Sequence, residues 1–178
     1  MRGAGMKRDR LIGSSVRRAR VAWCALAAAL LVACAGGSSP EGLPIGATEA
    51  QVIARMGPPT GRYVLPNGGS RLEFARGPQG RVTYMVDFDA SGGSIIWDQV
   101  LTPQNFLSLE PGISSEEVLM RIGHPGSTRA YPRQQLTVWN YRFPTSECLW
   151  YQVSIGDDGK FISATQGIDP QCDPPTRL

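Results

Sequence analysis

Few residues in this chain are of types that do chemistry. One histidine occurs in 178 residues, His124, and it stands between Gly123 and Pro125. A single imidazole excludes most histidine-based metal sites. No Ser or Cys motif accompanies it to form a nucleophile–base pair, so His124 reads as a loop histidine. Asp87 and Asp89, at i and i+2, share one strand face. A glycosidase needs two placed carboxylates, but a pair like this at a strand end reads as two solvated acids. The Gly-rich stretches Asn67-Gly68-Gly69-Ser70 and Gly77–Gly80 lack the Gly-Lys-Ser/Thr of a phosphate loop, and hairpin turns account for them. No catalytic, metal or cofactor site is therefore expected, and the chain is read as a non-enzyme.

Cys34 is a different matter. Residues 1–20 carry seven basic side chains against one acid, Asp9, and Val21–Ala33 is a 13-residue apolar run. A basic segment followed by a run of this length is a signal peptide, too short to span a bilayer. The run ends in Leu31-Val32-Ala33-Cys34, which resembles the bacterial lipobox. The resemblance implies that Cys34 is diacylated and becomes the mature N-terminus, and more than one acyl chain is what stable anchoring requires. Ordinary cleavage near Ala33 or Ala35, leaving Cys34 free, is the alternative. Ala35 follows, where by the same resemblance an Asp would favour inner-membrane retention. The expected location is the outer membrane, lipid-anchored and facing the periplasm. Residues 1–33 are thus read as a lipoprotein signal peptide and 34–43 as a polar, flexible tether.

Processing reverses the charge. The whole chain is +3, whereas residues 34–178 hold 11 Lys and Arg against 14 Asp and Glu, a net of −3. No basic patch survives for nucleic acid. Cys24 leaves with the signal, so Cys148 and Cys172 remain as one pair for an oxidising compartment. Closing their loop of about 25 residues stabilises by roughly 3–4 kcal/mol in the chain-entropy model. Two buried free thiols are the alternative.

The elements come from an internal repeat. Gly46–Pro59 aligns with Gly112–Pro125 at an offset of 66, with Gly46/Gly112, Val52/Val118, Arg55/Arg121, Gly57/Gly123 and Pro59/Pro125 identical. Each copy reads as a short helix. Thr48-x-x-Gln51 and Ser114-x-x-Glu117 fit capping boxes. Val52, Ile53 and Met56, like Val118, Leu119 and Ile122, lie on one helical face, and Gly57 and Gly123 suit a left-handed C-terminal position. Strands are expected at Arg71–Arg76, Val82–Phe88 and Ile95–Leu101, then at Val138–Phe143, Leu149–Ile155 and Phe161–Thr165. Trp139, Tyr141 and Phe143 share one face. Trp150 falls on the face opposite Leu149 and Tyr151; it is read as a candidate partner-binding residue, with partial burial under the Cys148–Cys172 tail as the alternative. The expected class is α+β: two tandem repeats, 44–102 and 109–172, each a short helix followed by a three-stranded antiparallel meander with the helix packed on the sheet, and a tail at 173–178.

Pro111–Pro125, Val138-Trp139-Asn140-Tyr141-Arg142-Phe143 and Val153–Phe161 together resemble the SmpA/OmlA (BamE) lipoprotein family, whose pattern runs roughly G-M-T-x-x-x-V-x-x-x-L-G-x-P, W-x-Y, F-x-x-x-G-x-L. The second repeat carries the match over about 60 residues. The first is a degenerate copy, with Leu72 or Glu73 where the Trp would stand. The resemblance implies a non-catalytic accessory subunit in outer-membrane β-barrel assembly, touching partner assembly subunits and anionic lipid. The tandem layout is also similar to the β-lactamase inhibitor protein fold, which implies a periplasmic protein-binding or inhibitor module as the alternative.

Overall fold

The computed structural model describes residues 39–77 and 80–172, apart from the Ile95 side chain. Cys34 and the expected 173–178 tail lie outside the described residues.

Helix α1 (Glu49–Met56) begins where the sequence puts its cap. The Thr48 hydroxyl accepts from Gln51 N–H, and the Gln51 side chain accepts from Thr48 N–H at 2.8 Å. Two of the N–H groups that a helix start orphans are thereby satisfied. Strands β1 (Gly61–Val64), β2 (Ser70–Ala75), β3 (Thr83–Phe88) and β4 (Ser94–Gln99) follow as an antiparallel sheet in chain order. A single turn, α2 (Pro103–Leu107), leads to α3 (Ser115–Ile122). A second antiparallel sheet holds β5 (Ser127–Tyr131), β6 (Leu136–Arg142), β7 (Leu149–Gly156) and β8 (Phe161–Ile168), again in chain order.

The expected class is corrected here. Among the described residues the fold is mostly β, two antiparallel four-stranded sheets with three short α-helices, and not two helix-plus-three-strand units. The fourth strand in each case is a short first edge strand, β1 or β5. Its exposures alternate between half-buried and exposed in β1 and are almost all exposed in β5. Gly61-Arg-Tyr-Val64 and Ser127-Thr-Arg-Ala-Tyr131 therefore carry no run of alternating apolar residues, which is the signal from which strands are read. The one-turn α2 is too short to show a helical period.

The second capping box is also half made. Glu117 N–H donates to the Ser114 hydroxyl at 3.1 Å, but the Glu117 carboxylate pairs with Arg121 one turn on instead of reaching back.

Equivalent contacts recur between the halves. Ser94 N–H donates to Ala47 C=O and Phe161 N–H to Ile113 C=O, at 2.9 Å each. Isolated bridges pair Thr48 with Gly93 and Ser114 with Lys160. The first core joins Val52 and Met56 to Leu72, Phe74, Val86 and Phe88. The second joins Val118 and Ile122 to Tyr141, Tyr151, Val153 and Phe161, with Phe106 of α2 stacked on Tyr151 at 4.1 Å between ring centres.

Candidate functional site

The two sheets differ in what their second faces meet. Strand alternation sends Leu72, Phe74, Val86 and Phe88 of the first sheet into its own core. Glu73, Thr83 and Met85 point the other way, and all three are buried. What covers that second face is the end of α3 and the loop after it. Arg71 Nη1 donates to Met120 C=O at 2.9 Å, and His124 lies against Glu73. The junction between the halves is therefore a polar interface built on the back of the first sheet.

Glu73 is at its centre, fully buried. Its carboxylate accepts from the Thr60 hydroxyl at 2.8 Å, the Tyr63 hydroxyl at 2.6 Å and His124 N–H at 3.0 Å. His124 Nδ1 lies 2.8 Å from Oε2 and 3.0 Å from Oε1. The His124 side chain is 48% exposed. Burial, then the bond to Glu73, pushes the Tyr63 hydroxyl well above the usual tyrosine range. Burial, then the Glu73 charge, does the same to Tyr141, whose hydroxyl donates to Gly123 C=O at 2.8 Å.

Gly123 shows why this loop has a glycine. Its φ is +78°, and a Cβ there would stand 2.7 Å from Thr83 Cγ2 and 3.1 Å from Glu73 Cδ. The residue both ends α3 with a positive φ and lets the loop pack tightly against Thr83 and Glu73 of the first sheet.

Farther along the same face, Asp87 grips Arg71 through two bonds, Nε–Oδ1 at 2.6 Å and Nη2–Oδ2 at 2.7 Å. That carboxylate holds the guanidinium even more firmly protonated than usual. A cleft of about 310 Å³ opens beside the pair, with Asp98, Asn105, Ser108 and Arg121 on its walls. Asp89, two residues on, is not part of it. It caps the β3–β4 turn by accepting from Ser91 N–H, the Ser91 hydroxyl and Gly93 N–H, and these bonds, the Ser91 hydroxyl foremost, lower its carboxyl below the usual range. The two acids read as a solvated pair thus have separate structural partners.

No family model matches this chain, and no curated protein or solved structure does.

The remaining sequence-derived residues cluster at the far end of the second sheet. Cys148 and Cys172 lie at disulfide distance, their Cα atoms 6.1 Å apart. Between them in space Asp169, almost fully buried, accepts from Arg142 Nη2 at 3.0 Å and from Gln171 N–H at 3.0 Å. The Arg142 bond, above all, holds the Asp169 carboxyl below its ordinary range. Arg142 also lies over the Trp150 ring at 5.8 Å, and Trp150 is half-buried. More exposed aromatic and aliphatic surface sits on edge strand β4, where Ile96 is 56% and Trp97 39% exposed.

Sequence reading missed Glu73 as a site residue. Its one signal is a carboxylate between two core residues, Leu72 and Phe74, in a strand. Among the described residues no group of three or more His, Cys, Asp or Glu side chains is placed to hold a metal. No described helix is long and apolar enough to cross a membrane.

Proposed function

We propose that this chain is a lipid-anchored protein of the outer membrane, facing the periplasm, that acts by binding another protein and not by catalysing a reaction. Its role is that of an accessory or scaffold in β-barrel assembly or envelope integrity, with assembly subunits as partners and anionic lipid as a further contact. The observation that carries the reading is Leu31-Val32-Ala33-Cys34 at the end of a 13-residue apolar run, followed by a polar tether. Two further features support it. The second repeat resembles the SmpA/OmlA pattern, and edge strand β4 leaves Ile96 and Trp97 in the open, where an aromatic side chain is suited to anchor a partner.

The experiment is palmitate labelling and membrane fractionation of the wild type and Cys34→Ala, with outer-membrane protein levels and detergent sensitivity in a deletion strain. Label on the wild type alone, outer-membrane recovery and a deletion phenotype are expected. An unlabelled wild type, or a deletion without effect on either readout, contradicts the reading. A periplasmic inhibitor module is the second reading, favoured by the charged cleft of about 310 Å³ on the back of the first sheet. Retention of a periplasmic hydrolase on the immobilised protein would support it, and failure to retain any would remove it.

A further inference from the structure

Seven large hydrophobic side chains are exposed among the described residues. Three of them, Ile45, Ile96 and Trp97, gather round one shallow cleft at the β4 edge of the first sheet. Leu43 and Pro44 also line it, and none of its lining residues is charged. Single exposed apolar side chains need no explanation, whereas a contiguous apolar patch marks an interaction surface.

The patch is built, not incidental. Gly46 N–H donates to Ser94 C=O and Ser94 N–H to Ala47 C=O, at 2.9 Å each, so the segment carrying Ile45 is fastened to the start of β4. On the strand itself the Trp97 ring meets Tyr84 edge-on, 6.0 Å between ring centres. Upstream, Leu43 N–H donates to Pro40 C=O at 3.1 Å, and Arg55 Nη2 to Glu41 C=O at 3.0 Å. The chain is thus held against the domain almost back to Ser39. Ser39 stands five residues after Cys34, and five fully extended residues span at most about 18 Å.

We propose that this edge seats the domain on the bilayer, with Ile45, Ile96 and Trp97 entering the boundary between headgroups and acyl chains. This seating rests on the acylation of Cys34 proposed above. Acyl chains on Cys34 keep a lipid surface within a short tether of the patch, and tethering makes a small apolar contact effective. An indole suits that boundary, because its ring is apolar and its N–H is polar. The partner of this surface is the lipid itself. The contact is apolar and does not need anionic headgroups.

The test uses the acylated mature protein, made with labelled palmitate and reconstituted in phosphatidylcholine vesicles whose acyl chains carry bromine near the headgroup. Bromine quenches an indole that enters the bilayer. Trp97, Trp139 and Trp150 are the tryptophans after residue 33. Quenching relative to unbrominated vesicles is expected in the wild type and is expected to be lost in Trp97→Phe. Ile45→Asp is expected to lower it without lowering Tm, because Ile45 is 93% exposed. Added salt is expected to leave the quenching unchanged, since no charged residue lines the cleft. A labelled protein that shows no quenching, equal quenching in the wild type and Trp97→Phe, or quenching only with anionic lipid overturns the seating and leaves the anchor standing. An unlabelled protein overturns both.

Discussion

Glu73→Ala is the substitution that probes the junction most severely. The wild-type carboxylate, fully buried, accepts from Thr60, Tyr63 and both the backbone and ring N–H of His124. Hydrogen bonds to a charged group contribute about 1.5–3 kcal/mol each, and an orphaned buried donor costs about 1–3 kcal/mol. Four such bonds would sum to more than the net effect. Thr60 is exposed and His124 half-exposed, so those donors recover water, and removing the carboxylate relieves its own desolvation penalty. The Tyr63 hydroxyl and the cavity left by the side chain remain, and the expected loss is about 3 kcal/mol. At roughly 2–4 °C per kcal/mol for a domain near this size, Tm falls by roughly 6–12 °C. The assay is urea unfolding at pH 7 with a parallel thermal scan, on forms beginning after Cys34. Glu73→Gln, which keeps the shape and one acceptor, should lose less, about 1–2 kcal/mol. A Glu73→Ala variant within about 0.5 kcal/mol of wild type would refute the view that this carboxylate ties the halves together.

Three other outcomes follow from named contacts. Asp169 has a folded-state pKa below its unfolded value because Arg142 bonds it; its contribution is present above the unfolded value near pH 4 and is lost as pH falls through the lower folded value. Arg142→Met should therefore destabilise by about 3 kcal/mol at pH 7, with the gap to wild type closing below about pH 4 in pH-resolved urea titrations. Tyr63 and Tyr141 have raised pKa values, so stability is present below the unfolded value near 10 and is lost above it. Ultraviolet titration should find two of the five tyrosines silent until the protein unfolds; all five titrating in the native state would contradict this. Gly123→Ala meets Thr83 Cγ2 at 2.7 Å whereas Gly57→Ala meets nothing within 4 Å, at similar positive φ. Both pay the penalty of a positive-φ extended backbone that favours glycine, about 1–3 kcal/mol, and Gly123→Ala should lose at least about 1 kcal/mol more in chemical unfolding; equal losses would remove the close-approach argument.

The helices were readable because their ends are written in local chemistry. Thr48, Gln51 and Gly57, and Ser114 and Gly123, act within a few residues of themselves, and the structure places α1 and α3 between them. The long strands were readable from alternation, as with Tyr141 and Phe143 against Tyr151 and Val153. Edge strands β1 and β5 escaped because an edge that faces water needs no apolar period. Glu73 and His124 escaped for a different reason. Alternation assigns Glu73, Thr83 and Met85 to a second face, but only the packing of a segment some 50 residues later buries that face. The Gly and Pro beside His124 place it in a loop, as the structure does, but nothing local says that this loop meets Glu73.

The most direct test of the proposed role is crosslinking of the acylated protein in intact cells, followed by mass spectrometry of what is attached. Recovery of β-barrel assembly subunits, lost in a Cys34→Ala form that no longer reaches the membrane, is the predicted result. Reproducible recovery of other proteins with those subunits absent would contradict it.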